Sequence, residues 1–240
     1  MSMASLELEG KVVFVTGGNK GIGASIVGLL EELGAKVAYT YRSGTGSPNS
    51  LAIQADVTDQ AAMASAVEQI ETELGPIYGV VANAGITRDA LFVKSDREQW
   101  DAVIETNLTG VFNTVYPIMP RMNEHGHGSI VLISSIVGER GNMGQANYAA
   151  AKAGVIGFAK TLAREGARYQ VRSNVIAPGF IETNMLEGIP DKVKDRITAE
   201  IPARRFGRPD EIAWGAAYLL SPRSSYVTGT VLSINGGHHM

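Results

Sequence analysis

The chain has 240 residues, 45% of them hydrophobic and 19% charged, with 24 acidic residues against 21 Lys and Arg for a net charge of −3. This balance excludes a disordered chain and suits one α/β domain, while the lack of a basic block argues against a nucleic-acid partner. The absence of cysteine excludes disulfides and thiol catalysis and suits a reducing, cytoplasmic setting. No apolar run approaches about 18 residues and the N-terminus is unlike a signal peptide, so we expect neither a membrane span nor secretion.

Apolar runs alternate with helical patterns from one end of the chain to the other. The predicted strands are 11–16, 36–41, 51–54, 77–82, 129–134, 171–177 and 230–234. The predicted helices are 21–33, 59–74, 96–123, 147–168 and 209–220. This alternation predicts a single Rossmann-type domain over residues 1–240, with a doubly wound, seven-stranded parallel sheet and helices on both faces.

Two segments break the alternation. Residues 42–50 are rich in Gly, Ser and Pro and are too few for an ordinary crossover helix. Residues 180–208 form an insert that contains an amphipathic piece, Val193 to Ile201. An insert that follows a strand end is typical of a lid, so we predict a substrate lid at about 184–205.

A glycine-rich turn follows the first strand. Gly17, Gly21 and Gly23 stand where the strand ends and a helix begins. Glycines there permit a tight turn and allow a diphosphate to approach backbone N–H groups at the helix N-terminus. The turn predicts a dinucleotide site formed by the following residues: Gly17, Asn19, Lys20, Gly21, Ile22 and Gly23.

The end of the second strand indicates which dinucleotide binds. A site for NAD usually has an acidic residue there, whereas this chain has Thr40-Tyr41-Arg42, and Lys20 lies in the glycine-rich turn. Two cations and no carboxylate suit a 2′-phosphate, which favours NADPH/NADP+ as cofactor. The alternative is that both cations are ordinary surface charges.

Tyr148 and Lys152 are four residues apart in a helical pattern, so they share one face of the helix. The same stripe continues through Val155, Ala159 and Leu162, which predicts that this face is buried. An ammonium on an apolar face is costly unless it has a partner, and such a conflict is typical of a functional site. The pair can also arise by chance, and a lysine at the edge of a stripe can reach water.

The histidines give little reason to expect a metal. His125 and His127 form one pair and His238 and His239 another, but neither pair has a carboxylate or a third ligand at suitable spacing. We therefore predict no metal site.

Taken together, these residues resemble the short-chain dehydrogenase/reductase family over essentially the whole chain. Besides the glycine-rich turn, the matching segments are Asp56-Val57, Asn83-Ala84-Gly85, Asn107, Ser135, Tyr148-x-x-x-Lys152 and Pro178-Gly179. Ser135 precedes Tyr148 by the family's usual spacing. The resemblance implies a catalytic set of Asn107, Ser135, Tyr148 and Lys152.

The resemblance and the chemistry together suggest a role for each residue. Tyr148 would donate a proton to the ketone oxygen, and a neighbouring Lys152 ammonium would lower its pKa. Ser135 would bind the substrate carbonyl, and Asn107 would bend its helix. The further cofactor contacts implied are Arg42, Asp56, Val57, Asn83, Ala84, Gly85, Tyr148, Lys152, Pro178, Gly179, Ile181 and Thr183. The substrate contacts implied are Ser135, Gln145, Tyr148 and Phe180.

Within the family the chain resembles the reductases of 3-oxoacyl thioesters. Segments 83–89, 144–148, 177–183 and 235–237 are similar to the 3-oxoacyl-acyl-carrier-protein reductases, and segments 138–142, 162–168 and 200–207 to the acetoacetyl-CoA reductases of polyhydroxybutyrate synthesis. The resemblance also implies a homotetramer built through the 96–123 and 147–168 helices and the C-terminal strand.

The acyl carrier remains open at this point. The 123–128 loop has little of the positive charge that would meet an acidic carrier protein, although Arg121, Arg168 and Arg172 could compensate. Two other functions also remain open: a reductase or dehydrogenase of a non-thioester alcohol, and a catalytically inactive NADP-binding sensor or scaffold.

Overall fold

Seven parallel strands form one sheet in the computed structural model, which describes residues 6–44, 49–183 and 190–240. The strands are β1 Val12–Thr16, β2 Lys36–Tyr41, β3 Leu51–Gln54, β4 Ile77–Ala82, β5 Gly128–Ile133, β6 Val171–Pro178 and β7 Val231–Ile234. Their order across the sheet is β3-β2-β1-β4-β5-β6-β7. β2 and β3 lie on one side of β1, and β4 to β7 lie on the other side. The strand order therefore reverses between β1 and β4, which leaves a crevice at the carboxyl ends of these two strands.

Helices cover both faces of the sheet. They are α1 Gly21–Glu32, α2 Gln60–Leu74, α3 Arg97–Ile104, α4 Gly110–Val115, α5 Met119–His125, α6 Ile136–Arg140, α7 Ala146–Gly166, α8 Asp191–Glu200 and α9 Pro209–Leu220. Alternate residues of β1 point to opposite faces: Phe14 joins a core with α2, α4 and α7, while Val13 and Val15 join a core with α1 and α9. Burial on both faces explains why the strands are continuous apolar runs, and the predicted fold class is confirmed.

The prediction of one helix over 96–123 is wrong. α3 passes into a π-helical segment, Glu105–Thr109, before α4, and a break at 116–118 separates α4 from α5. Asn107 in the π-helical segment bonds its side chain to the backbone of Ile86. Pro117 and Pro120 lack the N–H groups that a continuous helix needs, and Pro120 instead lies in the first turn of α5.

The two irregular segments are partly described. Residues 42–44 and 49–50 contain no helix, and 45–48 lie outside the described residues. Of the predicted lid, 184–189 lie outside the described residues, while the amphipathic piece forms α8. The sequence did not predict α6, which lies in the glycine-rich stretch after β5. Within the described ranges, no helix has both the length and the apolar character that a membrane span requires.

Candidate active site

Four of the predicted site residues lie at the carboxyl ends of four neighbouring strands. Gly17 follows β1, Asn83 follows β4, Ser135 comes soon after β5, and Gly179 follows β6. Parallel strands end at the same edge of the sheet, so these residues surround the crevice between β1 and β4 and its extension toward β6. Open α/β sheets bind ligands at this position.

Three positions in the turn after β1 favour glycine. Gly17 and Gly21 have φ values of +66° and +53°, in the left-handed region. A Cβ on Gly23 would lie 2.1 Å from the Gly17 carbonyl oxygen, so any larger residue would force the turn apart. Lys20, the N-cap of α1, makes no side-chain cap hydrogen bond. The first N–H groups of α1 are thus not capped by that side chain, which fits a bound diphosphate.

Asn83 ties β4 to this turn. Its Nδ2 donates to the Thr16 carbonyl oxygen at 3.0 Å, and its backbone N–H donates to Thr16 Oγ1 at 3.0 Å. The Ala84 N–H shares the same hydroxyl at 3.1 Å. Two of the predicted cofactor residues therefore fix the backbone around the crevice, and Gly85 follows them as an exposed residue.

Asp56 and Val57 lie on the β2 side of the crevice, after β3. Asp56 Oδ1 accepts hydrogen bonds from the Thr58 N–H at 3.0 Å and from Thr58 Oγ1 at 2.9 Å. Val57 is buried, and a Cβ on Gly110 would lie 2.7 Å from its side chain. One Asp56 oxygen thus shapes the local turn, and Val57 packs against α4.

The segment after β6 reaches the same turn from the opposite side. A Cβ on Gly21 would lie 3.4 Å from Thr183 Cγ2, so the two predicted cofactor residues are neighbours. Pro178 ends β6, and the Gly179 N–H donates to the Ile234 carbonyl oxygen at 2.9 Å. Ile181 forms a β-bridge with Gly207.

The two cations predicted to select NADPH lie on loops that touch. Asn19 Nδ2 donates to the Ser43 carbonyl oxygen at 2.8 Å and joins the glycine-rich turn to the end of β2. Lys20 and Arg42, next to these two residues, are both exposed. Their exposure leaves both side chains accessible to an anionic group.

Lys152 is buried beneath the site. It is 3% exposed, and its Nζ donates to the Ile133 carbonyl oxygen at 2.7 Å. Ser134 Oγ donates to the Lys152 carbonyl oxygen at 2.8 Å, which fixes this turn of α7 against the end of β5. Burial lowers the pKa of Lys152 to about 8, so the ammonium form still predominates at neutral pH.

Tyr148 lies one helical turn before Lys152, and its hydroxyl lies near Ser135. Burial raises the pKa of Tyr148 to about 12, the nearby Ser135 hydroxyl opposes this rise, and the charge of Asp89 adds to it. The prediction that Lys152 lowers this pKa is therefore wrong for this structure. The Lys152 Nζ lies over the ring, 5.7 Å from its centroid, and burial dominates because it penalises the phenolate.

Asn107 meets Lys152 around Gly85. The Asn107 side chain is fully buried, accepts from the Ile86 N–H at 2.8 Å and donates to the Ile86 carbonyl oxygen at 2.8 Å. A Cβ on Gly85 would lie 3.2 Å from Asn107 Oδ1 and 3.6 Å from Lys152 Nζ. The structure thus brings all four predicted catalytic residues to one end of the crevice.

Sequence reasoning gave no role to Asp89, which lies beside this group. Gln145, a predicted substrate contact, donates from Nε2 to Asp89 Oδ2 at 2.9 Å and accepts from Asn142 Nδ2 at 2.9 Å. The Ala90 N–H also donates to the Gly144 carbonyl oxygen at 2.9 Å. The loop after β4 is therefore joined to the loop before α7. The position of Asp89, soon after a strand that ends at the crevice, was the signal that could have indicated it.

Phe180 follows β6, shortly before the predicted lid begins. Its ring is half-buried, with the Phe206 ring centroid at 6.1 Å and the His238 ring centroid at 5.8 Å. One part of the ring remains accessible, as a substrate contact requires.

The structure corrects one expectation about the arginines. Arg172 is 8% exposed and donates to Ser129 Oγ at 3.1 Å and to the Leu219 carbonyl oxygen at 2.7 Å. It therefore binds the end of α9 rather than facing a partner. Arg121 pairs with Glu71 at 2.6 Å.

The chain belongs to the short-chain dehydrogenase/reductase family. The family model described as enoyl-(acyl carrier protein) reductase matches residues 17–239, nearly the entire chain. The match includes the glycine-rich turn, the Ser135-Tyr148-Lys152 group and the segment after β6.

Individual relatives cover the whole length as well. The chain is 58% identical over 239 residues to the acetoacetyl-CoA reductase of Synechocystis sp., with 99% of this chain and 100% of the relative covered. It is 45% identical over 235 residues to the acetoacetyl-CoA reductase of Shinella zoogloeoides, covering 95% and 98%. It is 44% identical over 243 residues to the 3-oxoacyl-[acyl-carrier-protein] reductase FabG of Escherichia coli, covering 98% and 100%.

Proposed function

We propose that this protein is an NADPH-dependent reductase of 3-oxoacyl thioesters and that acetoacetyl-CoA is its preferred substrate. One observation carries the proposal: Ser135, Tyr148, Lys152 and Asn107 lie together beside a glycine-rich turn that is open to a diphosphate. A half-buried aromatic ring, Phe180, borders the same crevice. Such an arrangement can hold a ketone, polarise it and protonate its oxygen.

The residues present fit a dinucleotide. The uncapped N-terminus of α1 would hold the diphosphate, and Lys20 and Arg42 would hold a 2′-phosphate. Lys152, a buried ammonium with a protein carbonyl as acceptor, has further N–H groups to offer to ribose hydroxyls. NADPH, when bound, supplies the hydride.

Tyr148 supplies the proton to the ketone oxygen. The phenol is protonated at neutral pH because its pKa lies well above neutrality, so the proton is present for transfer. The Ser135 hydroxyl, near Tyr148, donates a hydrogen bond to the same oxygen and stabilises developing negative charge there. Lys152 would assist by holding the ribose hydroxyls, because burial rather than its charge dominates the pKa of Tyr148.

Coenzyme A is favoured over a carrier protein by two observations. The relative that is 58% identical is named as an acetoacetyl-CoA reductase, whereas the carrier-protein reductase of E. coli is 44% identical. In addition, Arg172 is buried and bonded to protein carbonyls, so it cannot meet an acidic carrier.

A substrate panel tests the proposal. NADPH oxidation is followed with acetoacetyl-CoA, acetoacetyl carrier protein, a small free ketone, and crotonyl-CoA, which offers a C=C bond and no ketone. We expect the highest kcat/KM with acetoacetyl-CoA and at least about a tenfold preference for NADPH over NADH. Activity confined to the free ketone would indicate a non-thioester reductase, activity only with crotonyl-CoA an enoyl reductase, and binding of NADPH without any turnover a sensor or scaffold.

We propose a homotetramer in the cytoplasm as the working form. Phe112 and Tyr116 of α4 are exposed beside Phe158 and Leu162 of α7, which leaves an apolar groove for a second copy. The lack of cysteine suits a reducing compartment. Light scattering would give about 102 kDa, four times 25.4 kDa, for a tetramer. A mass of 25.4 kDa would exclude this assembly.

A further inference from the structure

The segment 235–240 lies between the last part of the predicted lid and the chain just after β6. The Ala203 N–H, after α8, donates to the Gly236 carbonyl oxygen at 3.1 Å. A Cβ on Gly236 would lie 3.0 Å from Ile201, and a Cβ on Gly179 would lie 2.8 Å from the Asn235 Cα. The segment is therefore wedged between the chain that leaves α8 and the chain that leaves β6.

His238 is the buried polar residue of this segment. Its side chain is 4% exposed, and its ring lies 5.8 Å from the Phe180 ring between centroids. Within the described part of the chain, neither ring nitrogen has a hydrogen-bond partner. The Nε2 atom is 3.7 Å from Glu200 Oε2, near enough for an ion pair but beyond a hydrogen bond. A buried polar group without partners costs free energy, so its presence needs an explanation.

Charged groups from two helices act on this ring. Glu200, at the end of α8, favours the imidazolium, and Arg140, at the end of α6, opposes it. Burial opposes it most strongly, and the pKa of His238 lies below its usual value. Close by, Glu139 of α6 is bonded to Ser233 Oγ at 3.2 Å, and His239 follows in the chain. The ring is thus neutral at physiological pH.

We propose that His238 is a positioning residue: as a neutral imidazole it supports the Phe180 ring, and on protonation it moves away from that ring toward water or Glu200, so that substrate binding weakens in acid. An imidazolium has to regain water or a charge-assisted hydrogen bond, and the packed position offers neither at normal distance. The ring then leaves Phe180, which among the described residues keeps only the Phe206 ring as an aromatic neighbour. The lid end of the site becomes less ordered as a result.

This inference rests on the proposed reductase function, because Phe180 is a substrate contact only in that reading. It predicts an effect on KM rather than on kcat, since His238 makes no hydrogen bond to Tyr148 or Lys152 within the described part of the chain. As pH falls from 7.5 to 5, KM for acetoacetyl-CoA rises, by up to about tenfold for each pH unit below the pKa of His238. The value of kcat changes by less than about twofold from this cause.

Four variants test it with acetoacetyl-CoA and saturating NADPH. His238→Gln keeps a planar polar side chain that does not titrate, so its KM is independent of pH to within about twofold. His239→Gln is the matched control and keeps the wild-type rise in KM. Glu200→Gln removes the charge that favours the imidazolium and moves the rise to lower pH, whereas Arg140→Gln moves it to higher pH.

The outcomes distinguish a failure of the positioning role of His238 from a failure of the proposed reductase function. If His238→Gln keeps the acid rise in KM, or His239→Gln loses it, the positioning role is refuted. If His238→Gln does not fold, opposite shifts in Glu200→Gln and Arg140→Gln support the role, and equal or absent shifts overturn it. No turnover of acetoacetyl-CoA by the wild type at any pH would instead refute the proposed function.

Discussion

Replacing the buried Lys152 with Met should stabilise the protein while it abolishes activity. Lys152 is 3% exposed, and the Ile133 carbonyl oxygen is the one acceptor of its ammonium among the residues that the structure describes. Methionine is unbranched and flexible, so it can occupy the same space without a charge. A residue kept at a cost to stability is expected where function requires it.

The size of the effect follows from the pKa of Lys152. Its fall from 10.5 to about 8 on folding corresponds to about 3 kcal/mol, because each pKa unit is worth about 1.4 kcal/mol. Loss of the bond to Ile133 removes about 1 kcal/mol of this gain. The net stabilisation at pH 7 is therefore about 2 kcal/mol, or roughly 5 °C in Tm for a chain of this length.

The effect should also depend on pH with a definite sign. Folded Lys152 releases its proton near pH 8, whereas the unfolded chain keeps it until about 10.5. Between these values the unfolded state binds more protons, so the unfolding free energy of the wild type rises with pH. The advantage of Lys152→Met should therefore disappear by about pH 9.5, after a rise of about 2 kcal/mol in the wild type.

Urea unfolding without nucleotide, at equal protomer concentration and at pH 7, 8 and 9.5, measures both effects. Lys160→Met is the matched control, because Lys160 is exposed on the same helix. We expect no gain above about 0.5 kcal/mol from it. A Lys152→Met variant that is no more stable than the wild type at pH 7, or whose advantage is unchanged at pH 9.5, would refute the reasoning.

Three further changes follow from the site and the fold. Asp89→Asn removes a charge that raises the pKa of Tyr148. The alkaline limb of the plot of kcat against pH should therefore move to lower pH. A move of this limb to higher pH, or no move, would contradict the prediction. Arg172→Met leaves the Leu219 and Ser221 carbonyl oxygens without this donor. It should lower the free energy of unfolding in urea by about 3 kcal/mol, and a loss below about 0.5 kcal/mol would refute the role of Arg172 at the end of α9. Gly23→Ala places a Cβ 2.1 Å from the Gly17 carbonyl oxygen. It should weaken NADPH binding at least about tenfold, as measured by fluorescence titration. An unchanged affinity would show that the turn does not hold the cofactor.

Strand positions could be predicted because each strand of a covered parallel sheet is a continuous apolar run. The predicted bounds of β2, β3 and β4 match the structure; β1, β6 and β7 differ by one residue at one end, and β5 differs by one residue at both ends. Local pattern also predicted the buried face of α7, since Val155, Ala159 and Leu162 are all buried as the helical stripe requires.

Long-range contacts explain what the sequence could not predict. Asn107 enters a π-helical segment because its side chain bonds Ile86, a residue that only the folded sheet brings near. The pKa of Tyr148 depends on burial and on Asp89, neither of which follows from the spacing to Lys152. The position of His238 against Phe180 and Glu200 likewise depends on three segments that are distant in sequence.

The central claim is that Tyr148 delivers a proton to the ketone of a 3-oxoacyl thioester. The most direct test compares NADPH oxidation with acetoacetyl-CoA by the wild type and by Tyr148→Phe, which removes only the hydroxyl. The account predicts wild-type turnover and a loss of about 10²- to 10⁴-fold in kcat for the variant, which still binds NADPH. Turnover of the variant at the wild-type rate would contradict it.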